Sequence, residues 1–425
     1  LGESNTQDRY PDLIWPKEST AATTINGRLF ATSAITCEQR PVKWNDDRTE
    51  VVSTKADGVG VFIHELSHAL GLPDFYDTRG KAFGMDLWSV MDYGEYGGNG
   101  YNPGNYTAYE RDFMGWRPLQ VLDRPCVLTI PCFADGGYGY KIVNDANEDE
   151  YYVLENRQVK GWDDAIGKVG HGLQVTHVDY INNRWTANSV NTDPAHQCMT
   201  IIAANNTYKG TTTATSSKEW QASLRGNLYP GDTYNYSLTD ESTPAAVVYA
   251  GELMHKPIRQ IVENADNTVT ICYRTNGKLD IPVMREAENI QMDQFDAGWE
   301  SVENATRYEY ELYREQERVD GNITPEQTVH FDNLQSGCNY KYRVRALADS
   351  PEDYIESEWS DFAHLSTLVD YVDAVWQKEN WVDVYTTSGI RLTRCRVKDV
   401  WGTSLRHGVY IIRYANGATK RVLVD

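Results

Sequence analysis

The segment HELSHALGLPD, His64 to Asp74, constrains this chain more than any other. Apolar residues at 59, 61, 62, 63, 66, 69 and 70 predict a helix over it, and Gly71 supplies the left-handed residue that commonly stops one. Residues four apart share a helical face, so His64 and His68 point the same way and their imidazoles can reach one metal ion. Glu65 stands one step round the helix. There it lies beside such an ion but not on it, placed to take a proton from a metal-bound water. A catalytic zinc takes three protein ligands and leaves one place open. The chain reverses at Gly71 and is stiffened by Pro73, so Asp74 can return to the ion as the third ligand, with Asp77 a nearby alternative. Taken alone, the two histidines and the glutamate also suit an ordinary surface helix with a polar face; Gly71 and Asp74 at their spacing argue against that.

A second signal follows at Ser89–Tyr93, SVMDY. The stretch resembles the tight methionine turn of the metzincin proteases, and that resemblance implies that Met91 forms an apolar floor beneath the metal. Tyr93 can donate a hydrogen bond to an oxyanion as it develops. The plain alternative is a core methionine and a surface tyrosine.

Together, HELSHALGLPDFYD and GMDLWSVMDYG resemble the immune inhibitor A type of secreted metalloprotease, a metzincin-like family. EYYVLENRQVKGWDDAIGKVGHGLQVTHVDY (150–180) looks like that family's strand pair after the active site, and NLYPGDTYNYSLTDESTP (227–244) like its later loop. The resemblance spans roughly Asp12 to Tyr273. It implies a zinc endopeptidase acting on proteins or peptides. His64, His68 and Asp74 would be the metal ligands, Glu65 the general base and then acid, Met91 the structural methionine and Tyr93 the oxyanion helper. Only 63 residues precede His64. The chain opens LGESNTQDRYPDL without Met, and LIWPKES resembles a point already inside the catalytic domain, so a signal, a pro-segment and part of the upper subdomain are expected to lie before Leu1. GRLFATSAI (27–35) is a candidate edge strand for pairing with substrate backbone.

Beyond Thr275–Asp280 the pattern changes. RYEYELYRE, TVHFDNL and YKYRVRAL alternate bulky apolar with polar residues, the period of half-buried strands. With Trp299 early, Leu334 before Tyr340, and Glu358-Trp359-Ser360 late, this block resembles a fibronectin type III domain. The ending, VDVYTTSGIRL and then HGVYIIRYANGATKRVLV, resembles the C-terminal sorting domain of type IX secretion cargo in Bacteroidetes, although Trp401 is unusual there. The expected architecture is therefore an α+β metzincin-like catalytic domain with a β-rich extension (1–276), a fibronectin type III-like sandwich (280–368) and a second all-β sandwich for sorting (369–425). The resemblance places the protein outside the cell or on its surface, exported across the outer membrane by the type IX machinery, and a monomer is expected.

Composition narrows the partners. Acidic residues outnumber basic ones 61 to 40, a net charge of −21 that repels nucleic acid. Calcium is a second candidate metal, at Asp77, Asp86 and Asp92. Turn capping is the competing role for those aspartates. Seven scattered cysteines include no CxxC pair, and Cys126 and Cys132 are close enough in sequence to pair across a turn. His171, His177, His196, His255 and His330 read as hydrogen-bonded or surface residues. Two other functions fit the sequence less well: a surface adhesin with an inactive protease-like domain, and a zinc hydrolase acting on something other than peptides.

Overall fold

A computed structural model describes residues 16–20, 22–47, 49–207, 217–368, 381–396, 399–400, 405–406, 408–414 and 419–424. The chain is rich in strands and has few helices; the longest described, Gly60–Ala69, has 10 residues. No described helix is long and apolar enough to cross a membrane. Two compact units divide it: residues 1–278 with 350–355, and residues 279–349 with 356–425.

The first unit opens with short antiparallel pairs. β1 (Lys17–Ser19) pairs with β4 (Ser33–Ile35), and between them β2 (Thr23–Ile25) and β3 (Arg28–Phe30) form a hairpin. Asn26 and Gly27 both have positive φ, the two-residue turn whose twist matches the strands it joins. GRLFATSAI is thus not one strand, because β3 and β4 belong to separate sheets. β5 (Gln39–Trp44) and β6 (Val51–Ala56) form a further hairpin, and the Gly60–Ala69 helix follows.

Behind the helix lies a five-stranded sheet in the order β12 (Met199–Ile201), β11 (Gly172–Asp179), β10 (Asn147–Arg157), β9 (Tyr140–Asn144), β7 (Gln120–Val121). Its centre is the antiparallel pair β10–β11, buried almost throughout. Side chains alternate across a strand. Tyr151, Val153 and Val178 accordingly face one core, with Leu72, Phe75, Trp88, Met91 and Trp185. Tyr152, Leu154, Leu173 and Val175 face another, shared with the sheet of β13 (Ile258–Glu263), β14 (Val269–Tyr273) and β8 (Cys126–Ile130). A sheet covered on both faces accounts for the long apolar runs in its two central strands. None of the seven cysteines is in a disulfide. Cys126 and Cys132 stand at opposite ends of the extended β8 and its exit, on the order of 15–20 Å apart at the rise of a strand, so they cannot bridge.

In the second unit, β15 (Phe295–Gly298) pairs with β18 (Thr328–Phe331), and a four-stranded antiparallel sheet runs β17 (Glu317–Thr324), β16 (Arg307–Arg314), β19 (Asn339–Leu347), β20 (Ala363–Ser366). Trp299, Phe295, Tyr308, Tyr342 and Val344 are fully buried. The Tyr340 hydroxyl accepts a bond from Gln335 N (2.9 Å), a tyrosine folding back onto upstream backbone as in immunoglobulin-like sandwiches. Toward the C-terminus a single sheet is described, in the order β22 (Arg391–Arg396), β21 (Trp381–Thr386), β23 (Gly408–Tyr414), β24 (Thr419–Val424), and no second layer of a sandwich is found among the described residues. Trp401, Asn416 and Gly417 lie outside them.

Candidate metal centre

The Gly60–Ala69 helix ends as its glycine predicts. Gly71 has φ +102°, its N–H bonds to His68 O (2.9 Å) and the Leu72 N–H bonds to Ser67 O (3.0 Å), the paired bonds of a Schellman turn. The buried residues of the helix are Gly60, His64 and Ser67, whereas Val59, Phe62, Leu66 and Leu70 are exposed. Its inward face is therefore polar. Gly60 and Gly58 permit this seating, since a Cβ on either would collide with the backbone at Glu95 or Gly100.

The turn brings Asp74 back to both histidines. His64 Nε2 and His68 Nε2 are each 3.1 Å from Asp74 Oδ1 and 3.2 Å from each other. Donor atoms of a tetrahedral zinc stand about 3.3 Å apart at ordinary bond lengths. Both Nδ1 atoms are already committed, His64 to Val90 O (2.8 Å) and His68 to Leu72 O (2.7 Å). A carbonyl only accepts, so each Nδ1 carries a hydrogen, and in the neutral ring each Nε2 turns a lone pair inward. Asp74 Oδ1 is buried without a hydrogen-bond partner. Two imidazole lone pairs and an orphaned carboxylate oxygen at this spacing fit a divalent cation. The electrostatics agree. Burial lowers the pKa of His64, but Asp74 and Glu95 outweigh it and raise it to about 9; positive charge is favoured here. Burial acts to raise the Asp74 pKa, yet the two histidines hold it well below the usual carboxylate range.

The supports of the centre come from three places. Met91 is fully buried, and its carbonyl accepts from Phe75 N (2.8 Å), tying the turn at 89–93 to the loop that carries Asp74. Ser89 Oγ accepts from Met91 N (2.9 Å) and bonds in turn to the buried Glu110, which also closes the capping box of the Ala108–Phe113 helix. The third support was not foreseen. Asn188 accepts from Asp74 N and donates to Asp74 Oδ2, both at 2.6 Å, across 114 positions of sequence. It follows the Asn182–Thr186 helix and has positive φ (49°), which asparagine tolerates well. An Asn in TANSVN carries no local signal of this role.

Glu65 is half-buried and lines a cleft of about 460 Å³ together with His64, Tyr76, Tyr93, Glu95 and Tyr96. Burial raises its pKa, offset in part by the two histidines. Tyr93 is 53% exposed and packs its ring against Tyr96 and Trp220. Tyr76, also unforeseen, stacks on His64 and directs its hydroxyl to Asp74.

The aspartates considered for calcium are not gathered. Asp77 accepts from the N–H groups of Arg79, Lys81 and Ala82; Asp92 from those of Met85, Asp86 and Tyr93; Asp86 from Leu87 N and Trp220 Nε1. Their oxygens serve turns and packing. Among the described residues a second trio with converging ligand atoms is Asp179, His196 and Cys198. There His196 Nε2 already bonds to Asp179 Oδ2 (2.6 Å), and burial pushes the Cys198 thiol up to about 12, so it keeps its proton. The other lone histidines, 171, 177, 255 and 330, each bond to a carboxylate.

Residues 10–117 match the family described as immune inhibitor A peptidase M6, catalytic domain. That match covers roughly a quarter of the chain, including all three converging side chains, and it supports a metallopeptidase-type function. No curated protein matches the chain. Among solved structures the chain is similar to a human fibronectin type III domain (18% identity, 21% of this chain and 74% of that one, TM-score 0.18). It is also similar to domains d3–d4 of the rat CD45 extracellular region (14%, 21% and 50%, 0.19) and to the fn3 domain of human collagen alpha-1(XX) (18%, 21% and 86%, 0.18). Likeness at these TM-scores carries no weight of its own, and the sandwich rests on its strand order and register.

Proposed function

We propose that this chain is a secreted zinc-dependent endopeptidase that hydrolyses peptide bonds in proteins. The observation that carries the proposal is the convergence of His64 Nε2, His68 Nε2 and Asp74 Oδ1 at 3.1–3.2 Å, with both Nδ1 atoms held by carbonyls. When bound, zinc would supply Lewis acidity toward water and the substrate carbonyl. The chain's residues do the rest. Glu65 accepts the proton of the attacking water at its carboxylate and returns it to the leaving amine; its burial-raised pKa suits both halves of that cycle. Tyr76 commits its hydroxyl to Asp74, so Tyr93, on the same cleft, is the residue free to donate to the carbonyl oxygen as charge builds on it. Met91 holds the floor. The export reading belongs to the same proposal and rests on the GVYIIR…KRVLV ending, which points to the type IX machinery of the outer membrane.

The test is metal content of the purified chain together with cleavage of a denatured protein, with and without a chelator. One zinc per chain and chelator-sensitive cleavage are expected. Glu65→Ala should lower kcat by about 10³-fold or more with zinc content unchanged. Absence of zinc from the wild type would sink the proposal, and loss of zinc in Glu65→Ala would sink the role given to Glu65.

A further inference from the structure

Three carboxylates on the cleft beside His64 have no task in the chemistry above: Asp57, whose Oδ1 accepts from Gly58 N (2.8 Å), Asp92 and Glu95. Glu95 sits on the 3-10 segment Tyr93–Gly100 and is only 7% exposed, yet it lines the cleft. Its Oε2 is buried and has no hydrogen-bond partner among the described residues, while the Tyr96 hydroxyl donates to the carboxylate. The nearest cationic atom, His64 Nδ1, is 3.8 Å away and directs its hydrogen to Val90 O. Asp92 lines the same cleft, but its oxygens are taken by three backbone N–H groups. Arg40, the one arginine on the cleft wall, donates to Asn99 O (2.9 Å), and no ion pair joins it to Glu95 among the described residues.

Buried carboxylates are as a rule paired or hydrogen-bonded, and an oxygen left without a donor on a cleft-lining carboxylate asks for one from a ligand. Around Glu95 stand the rings of Tyr76, Tyr93 and Tyr96. Aromatic faces attract cations and cover the apolar stem of a long basic side chain. A buried acid and three tyrosines lining one cleft match a guanidinium or ammonium on an aliphatic arm.

We propose that this cleft selects a basic residue, arginine or lysine, flanking the scissile bond, and that Glu95 is the specificity-determining residue. The inference rests on the peptidase reading. The test is a position-scanning peptide library cleaved by the full chain, with zinc content measured in each preparation. The wild type is expected to favour Arg or Lys at a position beside the cleaved bond by about 100-fold in kcat/KM over Gln or Met. In Glu95→Gln that ratio should collapse toward one, and Glu95→Lys should turn the preference toward acidic residues. A wild type that cleaves without a basic preference overturns this inference and leaves the peptidase reading standing. A zinc-loaded Glu95→Gln that keeps the preference also overturns it. A wild type that cleaves no member overturns both. Should Glu95→Gln fail to fold, the wild-type profile decides alone.

Discussion

The Gly60–Ala69 helix and strand β19 bury opposite kinds of residue. In β19, Tyr340, Tyr342, Val344 and Ala346 turn inward, while Arg343 and Arg345 turn to Glu311 and Glu309 on the neighbouring strand. The helix turns His64 and Ser67 inward and leaves Val59, Phe62, Leu66 and Leu70 outside. In the strand, burial of apolar surface supplies the stability. In the helix the fully buried side chains are polar, with half-buried Ile63 packed on the core beside them, and the polar groups are satisfied one by one: His64 by Val90, Ser67 by Ile63 and Tyr106, His68 by Leu72. On the proposed function, a residue's contribution differs between the two regions, in stability for one and in metal affinity and turnover for the other.

The contrast can be broken at several points. Trp299→Ala, in the sandwich core, should cost about 3–5 kcal/mol in urea unfolding of that unit, and a cost below 1 would mean the core is looser than its burial indicates. Acid should act next. Glu150 is buried and accepts from His177, Tyr249 N, Ala250 N and Asn144. Burial alone would raise its pKa, but these donors carry it down to about 2. Its folded pKa lies below the unfolded value, so its contribution of about 3 kcal/mol is complete above pH 4.5 and lost as pH falls toward 2. Glu150→Gln should flatten that part of the stability–pH curve, and an unchanged curve would rule the residue out as its source. Asn188→Ala should weaken zinc binding about 10- to 100-fold, read by competition with a chelator, with little change in melting temperature of the second unit. The smallest effect is expected at Leu70→Ala, within about 0.5 kcal/mol of wild type. A cost of 2 kcal/mol or more would show that the outer face of the helix is covered in solution.

Legibility from sequence followed the range of the interaction. The helix, its glycine stop and the return of Asp74 are events within about a dozen residues, and spacing alone was enough to place them. The sandwich strands were equally plain, because alternation is a local property. A periodic pattern shows that a helix has two faces but not which one meets the core, so the outward apolar stripe was not foreseen. The strand reading of 27–35 missed the break between Phe30 and Ser33, where the chain passes from one sheet to another. The calcium reading counted aspartates without knowing how many backbone N–H groups each already held. Asn188 and Tyr76 reach the centre through contacts that no short motif encodes.

Both imidazoles are steadied by main-chain oxygens, those of Leu72 and Val90, and the loop carrying Asp74 hangs from that of Met91. Every amino acid has a carbonyl. Descendants of this sequence are therefore free to exchange the side chains at 72 and 90 for others of similar bulk without disturbing the ligands. Asn188 has no such latitude, since its grip on Asp74 uses both ends of a side-chain amide. Mutational drift around the centre should accordingly be uneven, permissive where backbone does the holding and strict where a side chain does.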